Sequence, residues 1–398
     1  MSSFPKKIAV AVSGGVDSLY ALVDLRERGA EVFALHGLFL PQERRGAEYE
    51  LMLEKLGAAC AALGVRLEVV DLSGPFAQLV SDEFCRAYLR GHTPNPCAGC
   101  NREIKFGLLW ERAEALEAGG IATGHYARLA ELPGDAGGGM ALLAGVDGGK
   151  DQSYFLALTP PERLARAVFP SGGLYKADLA EAMAARLRGL GLELPQKGES
   201  QDICFVPDGG YRDYLAGYAR AHGMELPGPG PILLPDGQEL RIGGKAARHR
   251  GLWAYTQGQR HGLGLAWSEP LYVLGKDLGQ NALIVGVKAD FRPEACLCGP
   301  VNFLLDYGAW PELVWAKPRY RQKLRPARHE LAQKDGASFL RLTFTDGQAA
   351  PPPAPGQIAA VYAPCAENGV LTTPEKAGKQ GWRLLGGGVI LDELPSGE

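Results

Sequence analysis

The sequence lacks any apolar run of the roughly 20 residues that a membrane-spanning helix requires. Its beginning also lacks the extended apolar core and the small-residue cleavage site of a secretory signal peptide. Neither sign of charge dominates, because the formal net charge is only −3 at pH 7. This balance argues against a broadly basic coat for nucleic acid but permits a local basic patch. We therefore expect a cytoplasmic protein with no membrane partner.

Cysteine is also sparse, with eight residues in a chain of 398. In a reducing compartment, thiols are buried groups, metal ligands or reactive groups more often than structural disulfides. Cys296 and Cys298 are one residue apart, which is wrong for common zinc sites but could place both on one face of a strand. Three others are expected to be buried small apolar groups: Cys60, Cys85 and Cys365.

Strand-like and helix-like segments alternate through the first half of the chain. The apolar pattern predicts strands at residues 7–12, 31–40, 66–72 and 120–123. Helical spacing predicts helices at residues 16–27, 49–63, 104–117, 161–168 and 176–190. This alternation is typical of the α/β class, in which crossover helices connect the strands of a parallel sheet.

The composition changes after about residue 205, where Gly and Pro become dense and helical periodicity fades. Short extended runs in this part predict a β-rich central module. From residue 291 onward, extended runs separated by Pro, Gly and Asp turns predict a small β-barrel or sandwich. We therefore predict three domains, at residues 1–208, 209–290 and 291–398.

A glycine loop, Ser13-Gly-Gly-Val-Asp-Ser18, follows the first predicted strand and opens the first predicted helix. Backbone N–H groups in such a loop can converge on an anion at the positive end of the helix dipole. The loop lacks the lysine of G-x-x-x-x-G-K-[ST] and does not match G-x-G-x-x-G. It therefore predicts a phosphate site, but not one of the kinase-type or dinucleotide-binding kind.

The segment from His92 to Phe106, HTPNPCAGCNREIKF, contains a C-x-x-C pair at Cys97 and Cys100. Each proline disfavours helical angles in the residue before it, so we predict that Pro-Asn-Pro and the two cysteines after it lie on a shaped loop. The C-x-x-C spacing alone leaves zinc, redox, cluster and incidental thiols as alternatives.

Several motifs together resemble the bacterial tRNA-specific 2-thiouridylase family. They are SGGVDS, TPNP followed by CNREIKFG, ATGHYAR (122–128), KDQSYFL (150–156), ESQDICF (199–205) and YTQGQRHGLG (255–264). The motifs span most of residues 8–290 in the family's order, and Arg319-Tyr320 and Gly356-Gln357 extend the resemblance more weakly. The resemblance implies a PP-loop domain like the adenine nucleotide α-hydrolases, followed by a central module and a C-terminal β-barrel.

The resemblance also implies an activity, the ATP-dependent 2-thiolation of the wobble uridine of tRNA. ATP and Mg²⁺ are the implied cofactors, and the implied partners are the anticodon region of tRNA and a sulfur-donor protein or sulfide. Asp17 would help to hold Mg²⁺, Cys204 would carry sulfur as a persulfide, and Cys100 would be the catalytic thiol. A nearby positive group is expected to depress the pKa of at least one of these thiols.

The remaining implied sites fall into two groups. The nucleotide would be bound by Ala11, Val12, Ser13, Gly14, Gly15, Val16, Asp17, Ser18, Gly37 and Gly124. The tRNA would be contacted by Asn95, Pro96, Cys97, His125, Lys150, Asp151, Gln152, Arg319, Tyr320 and Gln357. Basic residues from Arg319 to Arg328 suit phosphate contact, although a solvated strand face is the plainer interpretation.

The sequence departs from the commoner family pattern at Cys97, where that pattern has an aspartate. Cys97, Cys100 and Cys204 resemble the three thiolates that hold a [4Fe-4S] cluster in cluster-dependent tRNA thiolation enzymes. The cluster and the persulfide therefore remain alternative sulfur carriers. Two other functions also stay open: an AMP-forming amide synthetase with the same loop, and a non-catalytic paralogue that binds tRNA or carries a cluster.

Overall fold

The computed structural model describes residues 5–134, 138–189, 203–207, 210–292, 295–373 and 381–392. Within these ranges, no helix has both the length and the apolar character needed to cross a membrane. The ESQDICF motif is only partly covered, because residues 199–202 lie outside the described ranges.

The strands, in chain order, are β1 (Lys7–Ala11), β2 (Glu31–Leu38), β3 (Leu67–Asp71), β4 (Gly120–Ala122), β5 (Ala127–Glu131), β6 (Met140–Ala144), β7 (Ala167–Val168), β8 (Gly230–Leu233), β9 (Arg241–Ile242), β10 (Lys245–Ala246), β11 (Arg248–His249), β12 (Tyr272–Asp277), β13 (Ala282–Gly286), β14 (Ala295–Cys298), β15 (Asn302–Phe303), β16 (Leu313–Lys317), β17 (Arg325–Lys334), β18 (Ala337–Phe344), β19 (Ile358–Cys365) and β20 (Gly381–Leu391). The α-helices are α1 (Val16–Glu27), α2 (Ala47–Ala62), α3 (Ser73–Phe76), α4 (Asp82–Leu89), α5 (Pro96–Gly99), α6 (Leu109–Ala115), α7 (Pro161–Leu164), α8 (Lys176–Gly189) and α9 (Tyr211–Ala221). Two π-helical segments, Ala77–Ser81 and Cys100–Leu108, continue α3 and α5.

The parallel sheet that the first half of the sequence predicts is confirmed. Its strand order is β3-β2-β1-β4-β7, and every pair is parallel. Ile8 and Val10 pack on the side of α1 and α8, whereas Ala9 packs on the opposite side with Phe33 and Leu35. Burial on both faces explains why these strands are apolar runs without polar alternation.

The C-terminal β-barrel is also confirmed. Six strands form a ring, because β14 pairs with both β18 and β20. Its interior is filled by apolar side chains such as Val314, Leu340 and Val361. The hairpin of β5 and β6 adds to the outside of this ring through β20, where Arg383 pairs with Leu143.

The central β-rich part contains the mixed four-stranded sheet β11-β8-β13-β12. Here β8 and β13 are parallel, while the other neighbours are antiparallel. Helix α9 precedes this sheet and was not predicted. The predicted domain limits stay a prediction, and residues 208 and 209 lie outside the described ranges.

Two local predictions were wrong. Residues 161–168 were predicted as one helix, but only Pro161–Leu164 is helical and Ala167–Val168 joins the parallel sheet as β7. The cysteine pair was expected on a loop, but Cys97 lies in α5 and Cys100 begins the π-helical segment. The helix begins at Pro96 because proline suits the first helical position and the Asn95 side chain accepts a hydrogen bond from the Ala98 N–H.

Candidate functional site

A cleft of about 2920 Å³ opens at the carboxyl ends of the parallel strands. Ligands bind at this edge in open α/β sheets, because the connecting loops and helix N-termini converge there. The cleft is lined by the glycine loop, the cysteine segment, residues 150–152 and residues 319–324. It therefore brings together the predicted nucleotide, thiol and tRNA residues.

The glycine loop is folded around the Ser18 hydroxyl. This hydroxyl donates to the Gly15 carbonyl (2.8 Å) and accepts from the Ser13 N–H (3.1 Å). Gly14 has φ +79°, and a Cβ there would lie 2.2 Å from the Met52 sulfur, so the position requires glycine. No side chain caps the N-terminus of α1, which leaves its first N–H groups facing the cleft for an anion.

The Asp17 carboxylate lies in the first turn of α1 and is held from two sides. The Lys176 ammonium donates to both of its oxygens, at 2.6 and 2.7 Å. The Tyr126 hydroxyl donates to Oδ1 at 2.8 Å. Gly124 packs directly against this turn, since a Cβ there would lie 2.7 Å from the Asp17 carbonyl carbon and 2.8 Å from the Ser18 nitrogen.

A second wall of the predicted nucleotide site is formed by the end of β2. Gly37 lies beside the Phe39 ring, and Ala11 and Val12 also line the cleft. The buried His36 ring contacts the Val12 carbonyl at 2.7 Å and the Tyr49 hydroxyl at 2.8 Å. Burial lowers the His36 pKa, so the ring is neutral. It connects the residue after β1 to helix α2.

The expected depression of a thiol pKa does not occur at Cys100, one of the two thiols for which it was predicted, and it stays a prediction for Cys204. Burial raises the pKa of Cys100 to about 12, and Lys105 only partly opposes that effect. Cys97 is more exposed, and desolvation by the surrounding cleft raises its pKa as well. The anticipated basic group is present in Lys105, one π-helical turn after Cys100, but desolvation outweighs its charge.

Cys204 is exposed at the cleft, close enough to the other two thiols to raise their pKa values further. The next residue fixes its position: the Phe205 ring is buried against Phe76 and Phe84, and the Phe205 carbonyl accepts from the Arg44 guanidinium at 2.7 Å. The three predicted sulfur-chemistry residues therefore converge.

The three thiols are not placed as the ligands of a metal cluster. Within the described ranges, no group of three or more His, Cys, Asp or Glu side chains is placed to hold a metal ion.

The segment before the cysteines is held by the C-terminal part of the chain. Gln357 donates to the Thr93 carbonyl at 2.9 Å and to the Pro94 carbonyl at 3.0 Å. The Pro355 carbonyl accepts from the Thr93 N–H at 2.7 Å. The central part adds Lys276, whose ammonium donates to the Gly91 carbonyl at 2.6 Å. All three parts of the chain thus fix the approach to Cys97.

His125 is buried beside the cleft and is held neutral. Its Nδ1 lies 2.7 Å from the Thr123 hydroxyl, and its ring contacts Phe106 and Phe169. Burial lowers its pKa well below the usual value, and Lys105 lowers it further. A neutral ring can exchange a hydrogen bond with a base but cannot supply positive charge to RNA.

Lys150, Asp151 and Gln152 line the cleft, and the side chains of Asp151 and Gln152 bond to the protein backbone. Asp151 accepts from the backbone N–H groups of Gly145 (3.1 Å) and Ser153 (3.0 Å). The Gln152 side chain accepts from the Tyr126 N–H at 3.1 Å. Their contact with tRNA stays a prediction, and their observed contacts shape the turn that presents Lys150.

The basic run in the C-terminal part does not form one face. Arg325 is buried and makes two hydrogen bonds to the Asp346 carboxylate (2.7 and 2.9 Å), so it stabilises the barrel. Arg319 donates to the Gln257 carbonyl, and the Tyr320 ring packs against Phe155 at 4.3 Å between centroids. Arg319, Tyr320 and their neighbours through Leu324 line the cleft, whereas Arg325 does not.

Sequence reasoning missed three side chains that line this site. Lys176 belongs to none of the recognised motifs and is the first residue of a helix. It lies beside Asp17 only in the folded protein. Lys105 belongs to the CNREIKFG motif, but its place beside the thiols depends on the π-helical geometry. Arg44 is separated from Phe205 by 161 positions, so no local pattern could have paired them.

Comparison with known proteins gives matches over almost the whole chain. The family described as tRNA methyl transferase HUP domain matches residues 6–208, and the one described as tRNA methyl transferase PRC-barrel domain matches residues 227–287. The tRNA-specific 2-thiouridylase MnmA of Oleidesulfovibrio alaskensis is 46% identical over 384 residues, covering 96% of this chain and 98% of that protein. The protein of the same name from Lawsonia intracellularis is 41% identical, covering 97% and 99%.

A solved structure, the U34-tRNA thiolase NcsA from Methanococcus maripaludis with its [4Fe-4S] cluster, has 17% identity and a TM-score of 0.32. It covers 55% of this chain and 67% of that one. A likeness this weak carries no argument about the present site.

Proposed function

Because the chain belongs to the tRNA-specific 2-thiouridylase family, a family of tRNA sulfurtransferases, we propose that it converts the wobble uridine of tRNA, at position 34, to 2-thiouridine with ATP. The observation that carries the proposal is one cleft lined by a phosphate-binding loop and by Cys97 and Cys204, with the buried Cys100 thiol close to both. Activation of an oxygen and delivery of sulfur can then occur on the same bound base.

The first step is adenylation of the base. The uridine O2 attacks the α-phosphorus of ATP, the bond to the β-phosphate oxygen breaks, and pyrophosphate leaves. The open N-terminus of α1 carries about half a positive elementary charge, which stabilises the leaving group. Asp17 is a suitable ligand for Mg²⁺, a hard cation that usually takes one or two carboxylates together with phosphate oxygens.

The second step is sulfur transfer through the thiols. The terminal sulfur of a Cys204 persulfide attacks C2, the C2–O2 bond breaks, and AMP leaves with the bonding electrons. The Cys100 thiolate then attacks the Cys204 sulfur, and the S–S electron pair passes to the sulfur on the base. This releases 2-thiouridine and leaves a Cys100–Cys204 disulfide, which an external thiol reductant returns to two thiols.

The cleft supplies what this chemistry needs beyond the thiols. Lys105 stands where it can stabilise the Cys100 thiolate as it forms, although the resting group is protonated. Burial of Cys100 protects the thiol from oxidation until the base arrives. Neutral His125 can hold the uridine by hydrogen bonding, and residues 319–324 can contact the RNA backbone.

Release of pyrophosphate tests the adenylation step. Wild type is expected to release pyrophosphate from ATP only when unmodified tRNA is present. Asp17→Ala should abolish release, whereas Cys204→Ser should retain it because sulfur arrives afterwards. Release without any RNA would favour an AMP-forming amide synthetase instead. No release under any condition would favour a non-catalytic paralogue.

A cluster-dependent form of the same activity is the second candidate, supported by the third cysteine at position 97. Iron and acid-labile sulfide should be measured on anaerobically purified wild type beside Cys97→Asp. The thiol route predicts neither element and intact thiolation in Cys97→Asp. Stoichiometric iron and sulfide in the wild type alone would make Cys97 a ligand and replace the thiol route.

A further inference from the structure

The proposed reaction assigns no role to Lys176, although this residue lies in the cleft. Its ammonium bonds to both oxygens of Asp17, the residue proposed to meet Mg²⁺. A carboxylate paired in this way has little capacity left for a cation. The pair lies in the cleft, where the Lys176 side chain is 18% exposed and the Asp17 side chain is 31% exposed. An entering polyanion can therefore reach the ammonium.

The backbone of Lys176 is fixed, although its side chain is long and rotatable. Its N–H donates to the Asp147 carboxylate at 3.1 Å. The helix that it opens, α8, buries Leu179, Met183 and Leu187 against the side of the sheet that carries α1. The ammonium therefore pivots from a fixed point at the mouth of the phosphate loop. A movement of a few ångströms would bring it from the carboxylate to an anion on that loop.

Charge dictates which partner the ammonium takes. Without nucleotide, Lys176 is paired with the Asp17 carboxylate and neutralises its charge. With ATP on the loop, the triphosphate brings more negative charge than one carboxylate, and an unpaired Asp17 beside it would be repelled. Mg²⁺ relieves that repulsion by binding the carboxylate and the phosphates together.

We propose that Lys176 is a phosphate-binding residue that also closes Asp17 to metal until ATP arrives. When ATP binds, the ammonium passes from the carboxylate to the phosphates, and Asp17 becomes available to Mg²⁺. Metal binding at Asp17 thereby becomes dependent on nucleotide. This inference rests on the proposed use of ATP, but its test requires neither tRNA nor turnover.

The test measures ATP binding by calorimetry, once with EDTA and once with excess Mg²⁺. Lys176→Met should weaken ATP binding in EDTA by about 10- to 100-fold, the effect of losing a hydrogen bond to a charged group. The loss should be smaller with Mg²⁺, which replaces part of the charge. Lys176→Arg should restore most of the affinity in EDTA.

Arg186→Met is the matched control. Arg186 lies on the same helix and bonds to Glu27 through two nitrogens, so its loss also removes an ion pair from α8. It does not line the cleft, and ATP binding should therefore be unchanged. Equal weakening in Arg186→Met and Lys176→Met would assign the effect to the helix and overturn the proposal.

Asp17→Asn provides a second variant whose expected effect has the opposite sign. Because the carboxylate no longer competes for Lys176, ATP binding in EDTA should tighten, and most of this gain should vanish in Lys176→Met/Asp17→Asn. A gain that persists in the double variant would reflect simple loss of negative charge and would overturn the transfer of the ammonium.

Binding of Mn²⁺ without nucleotide, followed by electron paramagnetic resonance, tests the closing of Asp17. Lys176→Met should bind Mn²⁺ measurably more tightly than wild type, and unchanged binding would overturn this part. If wild type itself binds no ATP in either buffer, the proposed function fails rather than the role of Lys176.

Discussion

At the scale of single residues, two opposing effects determine the pKa of the Cys100 thiol. Desolvation raises its pKa to about 12, while Lys105 acts in the other direction. The C-x-x-C pair and the distant Cys204 could be identified from sequence because they belong to recognisable motifs. Their protonation could not, since it depends on how deeply the folded cleft buries each sulfur.

Lys105→Met should make Cys100 less reactive, because the variant removes the charge that stabilises its thiolate. Alkylation of Cys100 by iodoacetamide should rise about tenfold per pH unit below pH 11, since the thiolate is the nucleophile. The variant's curve should lie several-fold below that of wild type between pH 7 and about pH 9. The rate at Cys100 is read by mass spectrometry of its peptide. Identical curves would show that Lys105 does not stabilise the Cys100 thiolate.

At the scale of elements, helices that combine apolar periodicity with a fixed start were well predicted. The helix Val16–Glu27 was predicted with the observed ends, and Lys176–Gly189 within one residue. Of the π-helical segment Cys100–Leu108, only residues 104–108 were predicted as helical, as the start of a helix at residues 104–117. Side-chain spacing does not distinguish an added residue per turn in so short a segment, and the difference decides where Lys105 points.

Gln357→Leu should loosen the approach to the cysteines, because two backbone carbonyls, those of Thr93 and Pro94, lose their donor. We expect the free energy of unfolding to fall by about 1–3 kcal/mol and alkylation of Cys97 to accelerate. Gln333→Leu is the control, since Gln333 is an exposed residue of the same barrel that bonds only to Ser338. Unchanged labelling of Cys97 in Gln357→Leu would show that the segment is rigid without this anchor.

At the scale of the whole molecule, segments from the first half of the chain form hydrogen bonds with the C-terminal sheet. The strands β5 (Ala127–Glu131) and β6 (Met140–Ala144) come from the first half of the chain, yet they extend the C-terminal sheet. The Tyr154 hydroxyl also donates to the carbonyl of Ile358, the first residue of β19 in that sheet, at 3.0 Å. The α/β and β-rich halves were predictable from local patterns. The pairing of β6 with β20 was not predictable, because no local sequence pattern identifies the partner of a strand more than 200 positions away.

A chain cut after residue 208 should therefore fail to fold as an independent unit. It would leave the edge of β6 without β20 and expose the buried Tyr154 ring. Limited proteolysis should degrade the fragment rapidly, whereas the full chain should be resistant and unfold in one cooperative transition. A protease-resistant fragment with native circular dichroism would show that the parallel-sheet part is autonomous.

The most direct measurement is the amount of 2-thiouridine formed in unmodified tRNA, by nucleoside mass spectrometry, with ATP, Mg²⁺, a persulfide donor and a thiol reductant. Wild type should form 2-thiouridine at position 34. Cys204→Ser and Cys100→Ser should form none, although Cys204→Ser still releases pyrophosphate. Thiolation by Cys204→Ser would contradict sulfur delivery through this residue, and absence of 2-thiouridine with wild type would contradict the proposed function itself.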